Sequence, residues 1–334
     1  MALRLVEAFV PEEHREETLA LLSDAAPPEH VWAESSSPEV AIVRAVVGSS
    51  RTGDLIDQLH ERFSSLPAFR VLVVSIDAVL PRPAASGEEQ ERAQRGSSAA
   101  VSREEVYAKV ADGAELNRTF LSMTVLATIV AAIGMAKSNE AAVIGAMVVA
   151  PLLGPNMGLA LGLTLADGSL IRSALKSNLA GFALAFFTAV LLGVGLDVDP
   201  SIPEISSRTR LGFADLLLAL AAGCAGTLAY TTGAPSYLIG VMVAVAILPP
   251  TVASALLLGD GHMPEALQAL LLVTANVAAV NLAGMLTFVV KGMRPRTWWR
   301  AERAKKSMRV GISVWVSLLA ILGVLIAIYT RTQS

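Results

Sequence analysis

The chain has 334 residues, of which 54% are apolar and only 16% are charged, against about 25% charged residues in soluble domains. Its formal net charge of −3 and single cysteine, Cys224, exclude the basic surface of a nucleic-acid-binding protein, an intrachain disulfide and a thiolate metal site. Most charged residues lie in residues 1–110, whereas residues 117–290 are nearly uncharged, which predicts a soluble domain joined to an integral membrane domain.

Residues 1–80 predict a ferredoxin-like α+β domain. The order of predicted elements is β-α-β-β-α-β, the split βαβ arrangement. The strands are expected at 3–10, 30–34, 40–47 and 69–79, and the helices after Pro11 and near 54–63. This fold occurs in small-molecule sensors and in dimerisation modules, so the fold alone does not determine which of these functions the domain has. The N-terminus lacks the apolar core of a signal peptide, and we expect this domain in the cytoplasm.

Residues 81–116 predict a linker followed by an amphipathic helix. Residues 81–100 are rich in Pro, Ala, Ser, Gly and Glu, a composition typical of flexible linkers. Ser102 and Glu105 have the spacing of a capping box, which predicts the start of a helix that leads into the first membrane span.

Residues 117–334 predict an α-helical polytopic membrane domain of about seven spans. A spanning helix needs about twenty apolar residues, and this length places spans at 117–136, 139–166, 171–195, 211–230, 237–258, 264–290 and 310–330. Prolines in the second and fifth spans predict broken helices, and a re-entrant pair is the alternative for the second.

Basic residues in the short loops predict the orientation. The segment after the sixth span carries eight Lys and Arg residues between 291 and 309 against one Glu, and is expected in the cytoplasm. Arg172 and Lys176 agree with this, and the more acidic loop 197–210 is expected outside. The prediction is a bacterial or archaeal cytoplasmic (inner) membrane protein, with its N-terminus in the cytoplasm and its C-terminus outside.

Part of the sequence of the predicted membrane domain occurs twice. IGAM at 144–147 and LLGP at 152–155 return 95 residues later as IGVM and ILPP, and the tetrapeptide NLAG occurs at 178–181 and at 281–284. The repeats, 117–196 and 211–290, hold three predicted spans each, so the second copy enters the membrane upside down. The charge pattern independently gives the same result. We expect an inverted three-helix repeat with broken helices and an extra C-terminal span at 310–330.

Paired broken helices are a pointer to the substrate site of secondary transporters, because backbone groups freed by a break cannot face lipid. Asn156 and Thr251 occupy the same repeat position, directly after the predicted breaks. The alternatives are that these two satisfy freed backbone groups or cap the second half-helix, and that Asn178, Asn276 and Asn281 make interhelical hydrogen bonds. The candidate substrate-binding residues are Pro151, Gly154, Pro155, Asn156, Pro249, Pro250, Thr251, Asn178 and Asn281.

Other patterns predict packing and exclude classes of function. Gly154, Gly158 and Gly162 form a small-xxx-small series that permits close helix contact within a protomer or between protomers, and we expect a homo-oligomer, with a dimer favoured. The sequence offers no nucleophile–base pair, metal-spaced cluster or nucleotide loop, so we expect neither an enzyme nor a metal or cofactor. Few ionisable residues lie within the spans, which favours an uncharged solute or an ion held by backbone dipoles.

The string IGAMVVAPLLGPNMGLALGL, followed by IGVMVAVAILPP and NLAG, resembles the bacterial and archaeal membrane proteins of domain-of-unknown-function family 389, the uncharacterised hydrophobic domain proteins. The resemblance covers residues 117–296 and implies a prokaryotic inner-membrane protein without implying an activity. Three functions stay open. They are a transporter or channel-like protein for a small solute or ion, a membrane-anchored sensor or regulator whose N-terminal domain binds a ligand or partner, and a structural scaffold.

Overall fold

The computed structural model describes residues 3–27, 30–37, 39–66, 69–76, 103–209, 212–232, 236–293 and 298–333. It divides into two units, Met1–Val106 and Tyr107–Ser334. The predicted linker at 81–100 and Ser102 of the predicted capping box lie outside the described residues.

The first unit contains a four-stranded antiparallel sheet. Its elements are β1 (Leu3–Pro11), α1 (Arg15–Ala25), β2 (Val31–Ser37), β3 (Val40–Gly48), α2 (Ser49–Phe63) and β4 (Arg70–Ile76). The strand order is β2-β3-β1-β4 with antiparallel neighbours, as expected for the split βαβ arrangement. Alternate residues Val6, Ala8 and Val10 of β1 are fully buried in the core beneath the two helices. The predicted element order of this domain agrees with the structure.

The second unit consists of helices. After α3 (Arg103–Gly113), which begins in the first unit, come α4 (Arg118–Ala136), α5 (Glu140–Val149), α6 (Leu153–Leu165), α7 (Gly168–Gly195), the short α8 (Pro203–Ser206), α9 (Phe213–Thr232), α10 (Ser236–Gly259), α11 (Met263–Val290) and α12 (Trp298–Gln333). Five segments of the described chain are long and apolar enough to cross a membrane: α4, α7, α9, α11 and Ala304–Val324 of α12. The pair α5 and α6 makes a sixth if its two helices form one span, and α10 adds a shorter apolar segment, Ala246–Gly259.

The contacts between these helices are reciprocal. The helix α4 packs against α5 and α7, while α9 packs against α10 and α11. Across the two sets, α7 contacts α10, and α11 contacts α6. The third helix of each predicted repeat therefore packs on the proline-containing helix of the other.

The prediction of two broken helices is half wrong. The first break exists, because α5 and α6 are separated by three residues and bent by 49°. The predicted second break at Pro249 and Pro250 does not exist, since α10 runs as one helix from Ser236 to Gly259 with both prolines inside it. The physical reason lies in the contacts of the neighbouring helix α11, described below.

Candidate functional site

The break between α5 and α6 follows from its prolines. Pro151 has no N–H to continue the hydrogen bonds of α5, and it disfavours helical geometry in the residue before it. Accordingly, Ala150 is extended, with φ −67° and ψ 122°. No side chain caps the start of α6, so the predicted capping role of Asn156 is not what the structure shows.

The start of α6 is enclosed by the end of α3. Residues 152–162 are all buried. A Cβ atom placed on Gly154 would lie only 2.0 Å from the carbonyl oxygen of Gly113, and one on Gly158 would lie 2.6 Å from the Cβ of Ala114. A Cβ on Gly162 would meet the backbone nitrogen of Ile171 in α7 at 3.0 Å. The predicted glycine series therefore packs against helices of its own chain.

Hydrogen bonds hold the end of α3 in this position. The hydroxyl of Ser177 donates to the carbonyl oxygen of Ala114 at 2.7 Å. The hydroxyl of Tyr107 donates to Oδ2 of Asp167 at 2.7 Å, and Asp167 also accepts the backbone N–H groups of Ser169 and Leu170 at the start of α7. The bond to Asp167 raises the pKa of Tyr107 to about 12. Burial opposes ionisation of Asp167, but the hydrogen bonds from Ser169, Tyr107 and the backbone outweigh it and lower its pKa.

Two of the candidate asparagines meet in the core of the helical unit. Nδ2 of Asn281 in α11 donates to Oδ1 of Asn156 in α6 at 2.9 Å, and both side chains are fully buried. Nδ2 of Asn156 donates to the carbonyl oxygen of Leu152 at 2.8 Å, and Nδ2 of Asn281 also donates to that of Val277 at 2.9 Å. The bond joins the broken helix of the first repeat to the NLAG helix of the second, 125 residues away.

The surroundings of this pair leave one polar atom without a partner. Within the described chain, Oδ1 of Asn281 is buried and accepts no hydrogen bond. Nearby, the hydroxyl of Thr227 in α9 contacts the sulfur of Met157 at 3.4 Å, and Gly284 permits the close approach of α11 to both. An unpaired buried acceptor costs about 1–3 kcal/mol, so Asn281 offers an acceptor to any donor that reaches it.

Thr251 lies in a different place. Its hydroxyl donates to the carbonyl oxygen of Ile247 at 2.8 Å within α10, and its side chain lines a crevice of about 460 Å³ among α7, α10, α11 and α12. Asn156 is not among the residues that line this crevice. Asn178, the other candidate from the repeated tetrapeptide, is buried, and its Oδ1 has no hydrogen-bond partner among the described residues. The structure thus unites Asn156 with Asn281 and separates Thr251 from both.

Asn276, a residue outside the set of candidate binding residues, supplies a donor that α10 lacks at Pro250. In a regular helix the N–H of residue 250 would donate to the carbonyl oxygen of Ala246, but Pro250 has no N–H. Nδ2 of Asn276 in α11 donates to that oxygen at 2.6 Å instead. In the sequence, Asn276 is only a polar residue within an apolar span. This pattern predicts an interhelical hydrogen bond, but it does not identify the partner.

Apart from Tyr230, the buried polar residues of the described chain are Thr, Ser and Asn, and none of the buried residues is an Asp, Glu, Lys, Arg or His. The described residues also contain no group of three or more His, Cys, Asp and Glu side chains that could hold a metal ion. The chemistry available in the interior is therefore hydrogen bonding by amides, hydroxyls and backbone.

Comparisons with known proteins place these residues in a matched region. A family model described as "Domain of unknown function (DUF389)" matches residues 147–282, which include Asn156, Thr251, Asn276 and Asn281. An uncharacterized protein of Methanocaldococcus jannaschii is 33% identical over 297 residues, covering 89% of this chain and 91% of that protein. No solved structure matches the chain.

Proposed function

The chain belongs to the family described as domain of unknown function 389, and we propose that it is a membrane transport protein whose two halves meet at Asn156 and Asn281. The observation that carries the proposal is the buried hydrogen bond between these side chains, 2.9 Å long. It links a helix broken by proline to the NLAG segment of the other repeat, which is where inverted-repeat transporters place polar contacts with their solutes.

The reciprocal helix contacts support an inverted repeat. Each third helix packs on the proline-containing helix of the opposite set, as a two-fold axis between the halves requires. With α5 and α6 counted as one span and α10 as another, the described residues would form seven spans, three in each half and one extra at the C-terminal end. In this arrangement the N-terminal domain lies in the cytoplasm of a prokaryotic cell and the C-terminus outside.

The orientation has a direct test. Ser201, in the loop before α8, and Lys291, after α11, are both exposed and fall on opposite sides of the proposed membrane. In a Cys224→Ser background, Ser201→Cys should react with a membrane-impermeant maleimide added to intact cells, and Lys291→Cys should react only after the cells are opened. Labelling of both cysteines in intact cells would contradict the inverted arrangement.

The groups at the Asn156–Asn281 pair favour a small polar solute without net charge. Amide groups provide donors and acceptors, whereas no Asp, Glu, Lys, Arg or His side chain is buried in the described chain to balance a charge. The pair is enclosed, with the start of α6 covered by Gly113 and Ala114. This conformation is therefore closed, and transport requires α6 to separate from its neighbours.

Transport predicts that Asn156 reaches water from both sides of the membrane in turn. We would place Asn156→Cys in a Cys224→Ser background, reconstitute the protein in liposomes and add an impermeant maleimide inside or outside. Slow labelling from each side is expected, while Ala131→Cys, equally buried in α4, should stay unlabelled. A cysteine at 156 that reacts from neither side, in protein that is folded by size-exclusion chromatography, would rule out this site.

A second candidate function, regulation or partner binding by the N-terminal domain, is favoured by the open face of its sheet. Trp32, Arg44, Glu7 and Leu72 form one cross-strand row there. Arg44 donates to Glu7 and Glu34 at 2.7 Å each, while Trp32 and Leu72 are 43% and 49% exposed. A mixed face of this kind suits a second copy of the domain, and the homodimer stays a prediction. Mass photometry of the wild type and of Trp32→Glu would test it, since the substitution should convert a dimer to monomers.

A further inference from the structure

We propose that the helical unit binds an anionic phospholipid along α7, with the phosphate group at Arg172 and Lys176 and one acyl chain directed toward the crevice beside Thr251. This site is separate from the Asn156–Asn281 pair, and the proposal does not depend on transport through that pair. It requires only that α7 and α12 span a membrane.

One face of α7 connects two cations with the crevice. Arg172 and Lys176 are exposed and one helical turn apart. Leu179, Ala183 and Phe186 continue the same face at steps of three and four residues. Leu179 is 63% exposed, and the other two line the crevice. A molecule on this face therefore meets positive charge at one end and an apolar surface beyond it, which match the phosphate group and the acyl chain of a phospholipid.

The distances along α7 fit one leaflet of a bilayer. Phe182, the first crevice residue of α7, lies ten residues after Arg172 and six after Lys176, which is about 15 Å and 9 Å at the rise of an α-helix. Half of the hydrocarbon core of a bilayer measures about 15 Å. Long cationic side chains extend to the headgroups while their stems lie along apolar surface. With the two cations at the headgroups, the crevice lies at the depth of the acyl-chain ends.

A second pair of exposed cations, Lys305 and Arg309, lies at the same depth on α12. They precede Trp315, a crevice residue of α12, by the same ten and six residues. Residues 168–182 and 304–315 contain no Asp or Glu. None of the four cations forms an ion pair with another described residue. An anion placed between them is therefore attracted by both helices and repelled by neither.

The end of α6 brings α7 and α12 together next to these cations. A Cβ atom on Gly162 would lie 3.0 Å from the backbone nitrogen of Ile171 in α7, and one on Gly311 of α12 would lie 3.5 Å from Cδ1 of Leu163. Both cation pairs thus flank the same turn of α6. Basic pockets between membrane helices are typical sites for anionic lipid headgroups. A soluble polyanion would use the cations but not the apolar face of α7, so the combination favours a lipid.

Palmitoyl-oleoyl phosphatidylglycerol and palmitoyl-oleoyl phosphatidylcholine form a matched pair of probes, since they share their acyl chains and only the first has a net negative charge. Binding of each lipid to the full-length protein in neutral detergent micelles would be measured by native mass spectrometry at increasing lipid concentration. We expect the wild type to bind phosphatidylglycerol about tenfold more tightly. The double substitution Arg172→Gln and Lys176→Gln should weaken phosphatidylglycerol about tenfold and leave phosphatidylcholine unchanged.

Further variants locate the two parts of the site. Lys137→Gln removes an exposed cation after α4 and should leave the affinity for phosphatidylglycerol unchanged. Ala183→Phe places a ring in the crevice and should weaken this lipid, whereas Leu191→Phe, 76% exposed on α7 and outside the crevice lining, should not. Excess glycerol 3-phosphate, a soluble phosphate, should not displace the lipid.

Four results would each overturn the proposal. They are equal affinity of the wild type for the two lipids, unchanged affinity for phosphatidylglycerol after Arg172→Gln and Lys176→Gln, unchanged affinity after Ala183→Phe, and displacement of the lipid by glycerol 3-phosphate. Circular dichroism would confirm that the variants are folded.

Discussion

Replacing Asn276 by leucine tests how α10 accommodates Pro250. Leucine keeps the branching of the side chain, with a larger volume, but removes the donor to the carbonyl oxygen of Ala246, which Asn276 contacts at 2.6 Å. Ala246 is buried, and a buried carbonyl without a partner costs about 1–3 kcal/mol. The substitution also removes Oδ1 of Asn276, which itself has no partner in the described chain, and this relief offsets part of the cost.

A double-mutant cycle separates the two effects. Pro250→Ala gives α10 its own N–H for the carbonyl of Ala246, so Asn276 is no longer needed there. The contribution of Oδ1 is the same in both backgrounds and cancels in the difference. We expect Asn276→Leu to lower the free energy of unfolding by at least about 1 kcal/mol more in the wild-type background than in the Pro250→Ala background.

The assay is equilibrium unfolding in mixed detergent micelles, followed by circular dichroism, for the wild type, both single variants and the double variant. Pro249→Ala is the matched control, because the carbonyl that Pro249 frees belongs to residue 245, and no coupling with Asn276 is expected. Equal destabilisation by Asn276→Leu in the wild-type and Pro250→Ala backgrounds, or coupling as large with Pro249→Ala, would refute the reasoning.

Three further substitutions and one deletion test other features of the structure. Gly154→Ala places a methyl group 2.0 Å from a carbonyl oxygen of α3; the overpacking should cost about 1–3 kcal/mol or more, seen as a lower thermal midpoint. Gly145→Ala, with open space around its Cβ position, should be neutral or stabilising by up to about 1 kcal/mol. Tyr107→Phe removes the hydrogen bond to Asp167 and should cost about 1 kcal/mol at neutral pH. The pKa of Asp167 is lowered in the folded state. The stability that its ionised form contributes is therefore complete above its unfolded-state pKa and is lost as the pH falls through its folded-state pKa. The destabilisation by Tyr107→Phe, measured in thermal melts at several pH values, should shrink over the same pH range. Deletion of residues 1–100 should leave maleimide labelling of a cysteine at 156 intact if the membrane domain transports alone, and loss of labelling in a folded protein would favour regulation by the N-terminal domain.

Local sequence signals were sufficient for the first break. Pro151 removes a donor and biases Ala150 away from helical geometry, and both effects act within two residues. The same rules failed in α10, where a donor from another helix bonds the carbonyl that Pro250 leaves free. That donor, Asn276, lies 26 residues further along the chain, and only the packing of α10 on α11 brings it to the carbonyl of Ala246.

The candidate binding residues also show that the sequence predicts local features but not the contacts made by packing. The repeat in the sequence singled out Asn156, Thr251, Asn178 and Asn281 as special positions, but it left open whether the equivalent positions meet at one site or form two separate sites. In the structure Asn156 pairs with Asn281, which holds a different position in the other copy, and Thr251 faces a separate crevice. A repeat in the sequence shows which residues are equivalent in the two copies. It does not show which residues of the two copies contact each other, because this depends on how their helices pack.

The bond from Asn276 also has a consequence for biogenesis. If α10 entered the bilayer alone, the carbonyl of Ala246 would meet hydrocarbon without a donor, at a cost of several kcal/mol. Only residues 260–262 separate α10 from α11, so the two helices can leave the insertion machinery as a hairpin in which Asn276 already reaches its partner. We therefore expect α10 and α11 to enter the membrane as a helix pair, and we expect α10 to stay unstable in a nascent chain that ends before residue 276.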